Sequence, residues 1–185
     1  LPPRACLGYS LPQLFFVLQH FGLAGNHYTE QFKNAATHLD AEEAHIVQLA
    51  SDAAKLLFNK IPVTYSVAGY EGVAVRFRQQ INENSKELCW HHVVPEMNHN
   101  ELVGWAESHP ECAVVFLRSD TDYFRTKARM DISKEVIGKW TPNILEIHSK
   151  GSSQLERSIY LIHLTDWASC YLADRKGIDA VEVNV

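Results

Sequence analysis

The sequence predicts one α/β domain, a three-layer α/β/α sandwich built around a mainly parallel sheet. Three observations carry that prediction. Four short, β-rich apolar runs recur along the chain, each nearly continuous in hydrophobicity, as strands covered on both faces are. Segments with helical spacing separate them, and such alternation implies βαβ crossovers. The length, 185 residues, is close to the ~150 residues of one domain and suffices to bury roughly 70% of the unfolded surface.

Taken in order, residues 1–4 (Leu-Pro-Pro-Arg) read as the exit from a linker. Ile46, Leu49, Ala50, Ala53 and Leu57 then repeat with helical spacing, and Asp40 with Glu43 reads as a capping box opening that helix. The first strand covers 63–68 and a helix follows over about 72–82. The second strand covers 88–94, with a helix over about 99–107. The third covers 112–117, with a helix over about 122–139. The fourth covers 144–148. The last helix, 154–176, is apolar on most sides through Leu155, Ile159, Ile162, Leu164, Trp167 and Tyr171, which predicts a largely buried helix ending at Gly177. No internal repeat, low-complexity tract or linker interrupts residues 1–185, and residues 182–185 end without a cap. Ligands of open parallel sheets sit at the carboxyl ends of strands, which singles out residues 69–72, 95–100, 118–122 and 149–153.

Composition narrows the function. At 46% hydrophobic and 21% charged the chain is an ordinary folded protein rather than a disordered one. No apolar run approaches the roughly 20 residues of a membrane span, and the run Leu14 to Leu18 stops at Gln19 and His20. No secretory leader is legible, and a first residue Leu1 rather than Met suggests a chain processed or cut from something longer. Net charge is −5, from 17 basic and 22 acidic residues, with no basic stripe, so nucleic acid lacks its electrostatic footprint. Cys6, Cys89, Cys112 and Cys170 lie far apart without a CxxC, which predicts buried reduced thiols and a cytoplasmic location.

Several chemistries fail on their defining features. There is no GxGxxG after a strand and no GxxxxGK[ST]. Residues 68–72 (Ala-Gly-Tyr-Glu-Gly) could aim amides at an anion, but a tight strand-to-helix turn needing glycine accounts for them better. His91 and His92 are adjacent in a strand and point to opposite faces, and no helix carries HxxxH or HExxH, which argues against a metal. His20, His27, His38, His45, His109 and His163 are scattered, as surface or partly buried side chains are. Cys89 and Cys170 lack any local signature of a nucleophile.

Two stretches differ in kind. Gln80-Ile81-Asn82-Glu83-Asn84-Ser85-Lys86 is a polar helix end. Residues 95–105 (PEMNHNELVGW) follow the second strand, where Asn98 and Glu101 form a cap-like pair and leave His99 in the first turn of a helix. There Glu101 neutralises the helix start. A helix N-terminus disfavours imidazolium, so a neutral His99 able to move a proton near pH 7 is expected, although a loop histidine that only hydrogen-bonds fits equally well.

With its Glu83 sixteen positions before His99, the pair QINENSK and PEMNHNELVGW resembles the C-terminal sugar isomerase (SIS) domain of bifunctional phosphoglucose/phosphomannose isomerases. The opening PPRACLGYS and the tail YLADRKGIDAVEVNV resemble the same domain's two ends, so the likeness spans nearly the whole chain. It implies a flavodoxin-type SIS fold over residues 1–185, as the C-terminal half of a two-SIS-domain enzyme whose N-terminal SIS domain is missing here. It implies a homodimer with each active site at the subunit interface, phosphosugar substrates, and neither cofactor nor metal. In it Glu83 matches the proton-transferring base, His99 the ring-opening histidine contributed across the dimer, and Arg4 the arginine facing the enediolate.

The implied reaction interconverts glucose 6-phosphate and fructose 6-phosphate, with mannose 6-phosphate a further candidate, through a cis-enediol. That needs one carboxylate acting as base and then acid, a fixed cation beside the anionic intermediate, and an imidazole to open the ring. Two family features have no match: the Ser/Thr phosphate loop of the N-terminal domain, and a lysine near the C-terminus. Both gaps suggest half of a catalytic apparatus. The alternatives are a non-catalytic SIS module that binds a phosphosugar for regulation, which has no need of Glu83 and His99, and a dimerisation domain, which leaves the NHNE motif unexplained.

Overall fold

A computed structural model describes residues 2–182; the uncapped end expected at 182–185 lies mostly outside them. After a 3-10 turn at Pro3–Ala5 come helices α1 (Leu7–His20) and α2 (Tyr28–Leu57). Then follow strand β1 (Ile61–Val67), helix α3 (Glu71–Ser85), strand β2 (Trp90–Val94) and a one-turn helix α4 (Glu96–His99). A 3-10 segment (Glu101–Ala106) leads to strand β3 (Cys112–Arg118), helix α5 (Phe124–Ile137), strand β4 (Ile144–His148) and helix α6 (Gln154–Lys176).

All strand pairings are parallel, in the order β2-β1-β3-β4. The order dictates the layers. A right-handed crossover that moves one way along a sheet lies on the opposite face from one that moves the other way. The β1-to-β2 connection through α3 therefore shares a face with α2 and α6, over a core of Ile46, Ala50, Leu57, Phe77, Ile81 and Leu164. The β2-to-β3 and β3-to-β4 connections lie on the other face, where Met97, Trp105, Met130 and Ile137 pack on Val63, Tyr65, Val114 and Phe116. The predicted three-layer parallel sandwich is the observed one. β3, the most apolar run, is buried along its whole length.

Several boundaries depart from expectation. The helix read as opening at Asp40 begins twelve residues earlier, at Tyr28, so Asp40 and Glu43 lie mid-helix and form no capping box. Tyr28, Phe32, Ala35 and Leu39 carry the helical spacing back to that start. Helix α1 is an element beyond those expected, although Leu7, Leu11, Leu14 and Leu18 recur with helical spacing; it buries none of its residues and touches α2 through a Phe15–Tyr28–Phe32 aromatic cluster. α3 runs past Asn82 to a left-handed C-cap at Lys86 (φ 49°). β2 starts at Trp90 rather than 88, and α5 spans less than 122–139 because Asp122 turns back to accept from the Ser119 amide. α6 ends on Gly177 in the left-handed region (φ 67°), as its sequence predicts. The predicted helix over 99–107 is the largest correction: the segment is α4 followed by the 3-10 turns, which are broken by a non-helical Trp105 within them.

Candidate active site

Glu83 projects from the last turn of α3. The residues that bury this helix, Val73, Ala74, Phe77, Gln80, Ile81 and Asn84, recur every three or four positions and turn Glu83 outward, its side chain 50% exposed. The Lys86 ammonium donates to the Glu83 carbonyl at 2.8 Å and the Asp179 carbonyl at 3.0 Å, satisfying a helix end that carries negative partial charge.

Arg4, 79 residues away in sequence, lies directly on this turn. Its Nη1 donates to Glu83 Oε2 at 3.3 Å and its Nε to Asn84 Oδ1 at 2.7 Å. Its Nη2 donates to the carbonyls of Ala180 (2.6 Å) and Val181 (3.1 Å). The backbone is fixed too: Arg76 donates to the Arg4 carbonyl at 2.9 Å while its guanidinium forks onto Asp166 at 3.0 and 2.6 Å. Asn84 is held in turn by its amide to Ser169 Oγ, 2.8 Å. A cleft of about 400 Å³ opens beside Arg4 and Asn84, closed by Asp166, His163 and Trp167 of α6. The arrangement places a fixed, always-charged guanidinium next to an exposed carboxylate.

His99 is elsewhere. From Glu71, at the carboxyl end of β1, the axis of α3 descends about 18 Å to Glu83 at ~1.5 Å per residue. His99 follows the carboxyl end of β2, exposed on the opposite rim of the sheet. The structure thus brings Arg4 and Glu83 together and leaves His99 apart from both within one chain. Nor does His99 open a helix: it is the last residue of the one-turn α4, at its carboxyl rather than its amino end. Asn98 does not cap; its amide donates to Ser133 Oγ at 2.6 Å, and Asn100 Oδ1 accepts from the Glu101 amide instead. Glu101, read as neutralising a helix start, accepts a hydrogen bond from the buried Tyr65 hydroxyl. Tyr65 carries no motif signal, since a strand tyrosine reads as core.

The crevice at the strand-order reversal, between the carboxyl ends of β1 and β3, is the fold's generic ligand site. It is lined by Gly69, Tyr70, Pro95, Thr121, Asp122 and Gln154 among others, with one carboxylate and no lysine or arginine in its lining. Burial pushes the Asp122 carboxyl up, partly offset by the Ser119 amide. Nearby Arg118 is spent on Glu146 (2.6 Å) and Asp131 (2.7 Å). This rim therefore offers a phosphate little, in keeping with a sequence that holds no match to the phosphate loop. Of the four cysteines, all free, Cys89 and Cys112 are buried as expected, whereas Cys6 and Cys170 are only half-buried. Burial pushes the Cys89 thiol up to about 12, which makes it inert. Among the described residues no three His, Cys, Asp or Glu side chains cluster to hold a metal, and no helix is long and apolar enough to cross a membrane.

A parallel β2-β1-β3-β4 sheet with helices on both faces defines the class as a doubly wound, flavodoxin-type α/β domain, here with an arginine–glutamate pair at one rim. The fold matches a glucose-6-phosphate isomerase-like protein from Thermus thermophilus (TM-score 0.73, 19% identity, 97% of this chain and 59% of that one). It also matches the C-terminal domain of a glucosamine-fructose-6-phosphate aminotransferase from Francisella tularensis (TM-score 0.66, 13% identity, 83% and 46%). Residues 46–185 match the family described as the bacterial phospho-glucose isomerase C-terminal SIS domain, and the chain belongs to it. Two proteins named bifunctional phosphoglucose/phosphomannose isomerase are similar to it. The one from Aquifex aeolicus is 33% identical (98% of this chain, 55% of the relative), and that from Caldicellulosiruptor bescii 35% (94% and 54%). The chain spans about half the length of these curated relatives.

Proposed function

We propose that residues 1–185 form one SIS domain, the C-terminal half of a cytoplasmic phosphosugar isomerase that interconverts glucose 6-phosphate and fructose 6-phosphate, with mannose 6-phosphate as a further substrate. The observation that carries this reading is the contact between Arg4 and Glu83: a fixed cation and an exposed carboxylate from distant parts of the chain meet at one point. Glu83 takes the proton from C2 of the open-chain aldose, and the electron pair passes through the C1–C2 bond to the carbonyl oxygen, giving a cis-enediolate. Arg4 stabilises the oxyanion while the hydroxyl proton of O2 passes to O1, and Glu83 returns the carbon proton to C1 as the C2 carbonyl forms, giving the ketose. Beforehand His99 protonates the ring oxygen as its bond to C1 breaks, and the anomeric hydroxyl gives its proton to water as the C1 carbonyl forms. No step in this route calls for a metal.

Because Glu83 and His99 occupy opposite rims, the site is completed in a homodimer, with the imidazole arriving from a second subunit. Helix α1 supports that assembly: Leu14, Phe16, Val17 and Phe21 are all more than half exposed. A few such side chains, at roughly 150–250 Å² per aromatic ring, supply much of the ~800 Å² per partner of a standard interface. Phosphate binding falls to the N-terminal domain of the whole protein. The test is Glu83→Gln in the whole enzyme: turnover and solvent exchange of the C2 proton should fall ~10²–10⁴-fold with substrate affinity kept. Turnover within a few-fold of the native value would remove Glu83 from the role.

A further inference from the structure

The segment that carries His99 has no helix longer than a single turn, yet it is tied down at three places. Met97 is fully buried against the sheet. Asn98 donates to Ser133 of α5. The third tie is the Tyr65 hydroxyl, on which Glu101 and Trp105 converge.

The direction of that last network follows from donor counting. The Trp105 indole N–H can only donate, and it lies 2.9 Å from the Tyr65 oxygen. The tyrosine oxygen is therefore the acceptor of that bond, and its single proton points to the Glu101 carboxylate. Burial first, and Glu101 second, push the Tyr65 hydroxyl far above its usual range, so the proton stays on tyrosine. The ring itself is fully buried on β1, a central strand, at 5.5 Å from the Phe116 ring. Glu101 is thus linked to the middle of the sheet two residues after His99, as Asn98 is linked to α5 one residue before it.

We propose that Tyr65 is a positioning residue for His99: through Glu101 and Trp105 it holds the 98–105 loop at the height at which the imidazole meets the sugar ring. This rests on the reading of His99 as the ring-opening acid. Glu101 acts here as a hydrogen-bond acceptor and not as a base. Misplacing a catalytic group by about 1 Å can cost on the order of 10²-fold.

The experiment compares Tyr65→Phe, Glu101→Ala and Glu101→Gln in the whole enzyme. Each is assayed on cyclic sugar phosphate and on an analogue lacking the ring-closing hydroxyl, beside hydrogen exchange of the 98–105 amides. Tyr65→Phe and Glu101→Ala should lower kcat on cyclic substrate ~10–100-fold with KM little changed, spare the open-chain analogue, and raise exchange across 98–105. Glu101→Gln still accepts the tyrosine proton and should behave as native. Unchanged exchange in both Tyr65→Phe and Glu101→Ala, or equal losses on the two substrates, overturns the proposal; should Tyr65→Phe fail to fold, Glu101→Ala decides alone. Loss of activity in Glu101→Gln would make Glu101 a base and overturn it as well. His99→Ala separates the two levels: if it fails to distinguish cyclic from open-chain substrate, the role of His99 falls, while exchange still judges the tie.

Discussion

Replacing Arg4 with lysine keeps the charge and removes the fork, which isolates what the guanidinium geometry contributes. Two of its bonds, to Asn84 Oδ1 at 2.7 Å and to the Ala180 carbonyl at 2.6 Å, are partly buried. The bonds to Glu83 and Val181 are exposed and count for little. Hydrogen bonds to charged donors contribute about 1.5–3 kcal/mol each, and a lysine can recover one of the two buried partners at most, so Arg4→Lys should cost about 2–3 kcal/mol. For a chain of this size that lowers Tm by roughly 4–12 °C. Thermal and urea unfolding followed by far-UV circular dichroism would read it, with Asn84→Ala as a second probe expected to couple non-additively to Arg4→Lys. A loss under about 0.5 kcal/mol would refute the reasoning, because the tail around Ala180 would then not depend on Arg4.

Further outcomes follow from other sites. Gly151 has φ 131°, and an added Cβ would meet Glu156 Cβ at 2.7 Å, so Gly151→Ala should destabilise by at least ~2 kcal/mol in a denaturant titration. Burial pulls the His163 pKa below its usual value, and its Nε2 accepts from the Trp167 indole at 3.2 Å, a bond only the neutral ring can make. The unfolded chain therefore takes up that proton first, and stability should fall as pH drops below ~6.5, less steeply in His163→Gln; melting curves from about pH 7.5 to 5 would show parallel slopes if His163 were irrelevant. Val17→Glu on the exposed face of α1 should shift the mass measured by sedimentation from dimer toward monomer in the whole enzyme, and an unchanged dimer would place the interface elsewhere.

The architecture and the identity of the candidate residues were open to reading from the chain alone, because the signals involved are local. Consecutive apolar residues mark the covered strands, as at Cys112–Arg118, and a glycine past the last periodic residue ends α6 at Gly177. The NEN and NHNE motifs pointed to Glu83 and His99 without any structure. Other properties depend on contacts between distant residues. Helix α1 and the first turns of α2 repeat apolar residues with helical spacing, but the aromatic contact that joins them is between segments the pattern alone does not pair. The turn around His99 is set by Met97, Ser133 and Tyr65 beneath it, which overrode a plausible local cap. The pairing of Arg4 with Glu83, and the separation of both from His99 by the height of the sheet, are decided by strand order and by the direction in which α3 returns. A sequence specifies such distances only once its chain has closed on itself, since the free energy that fixes them comes from burial shared among segments far apart in number.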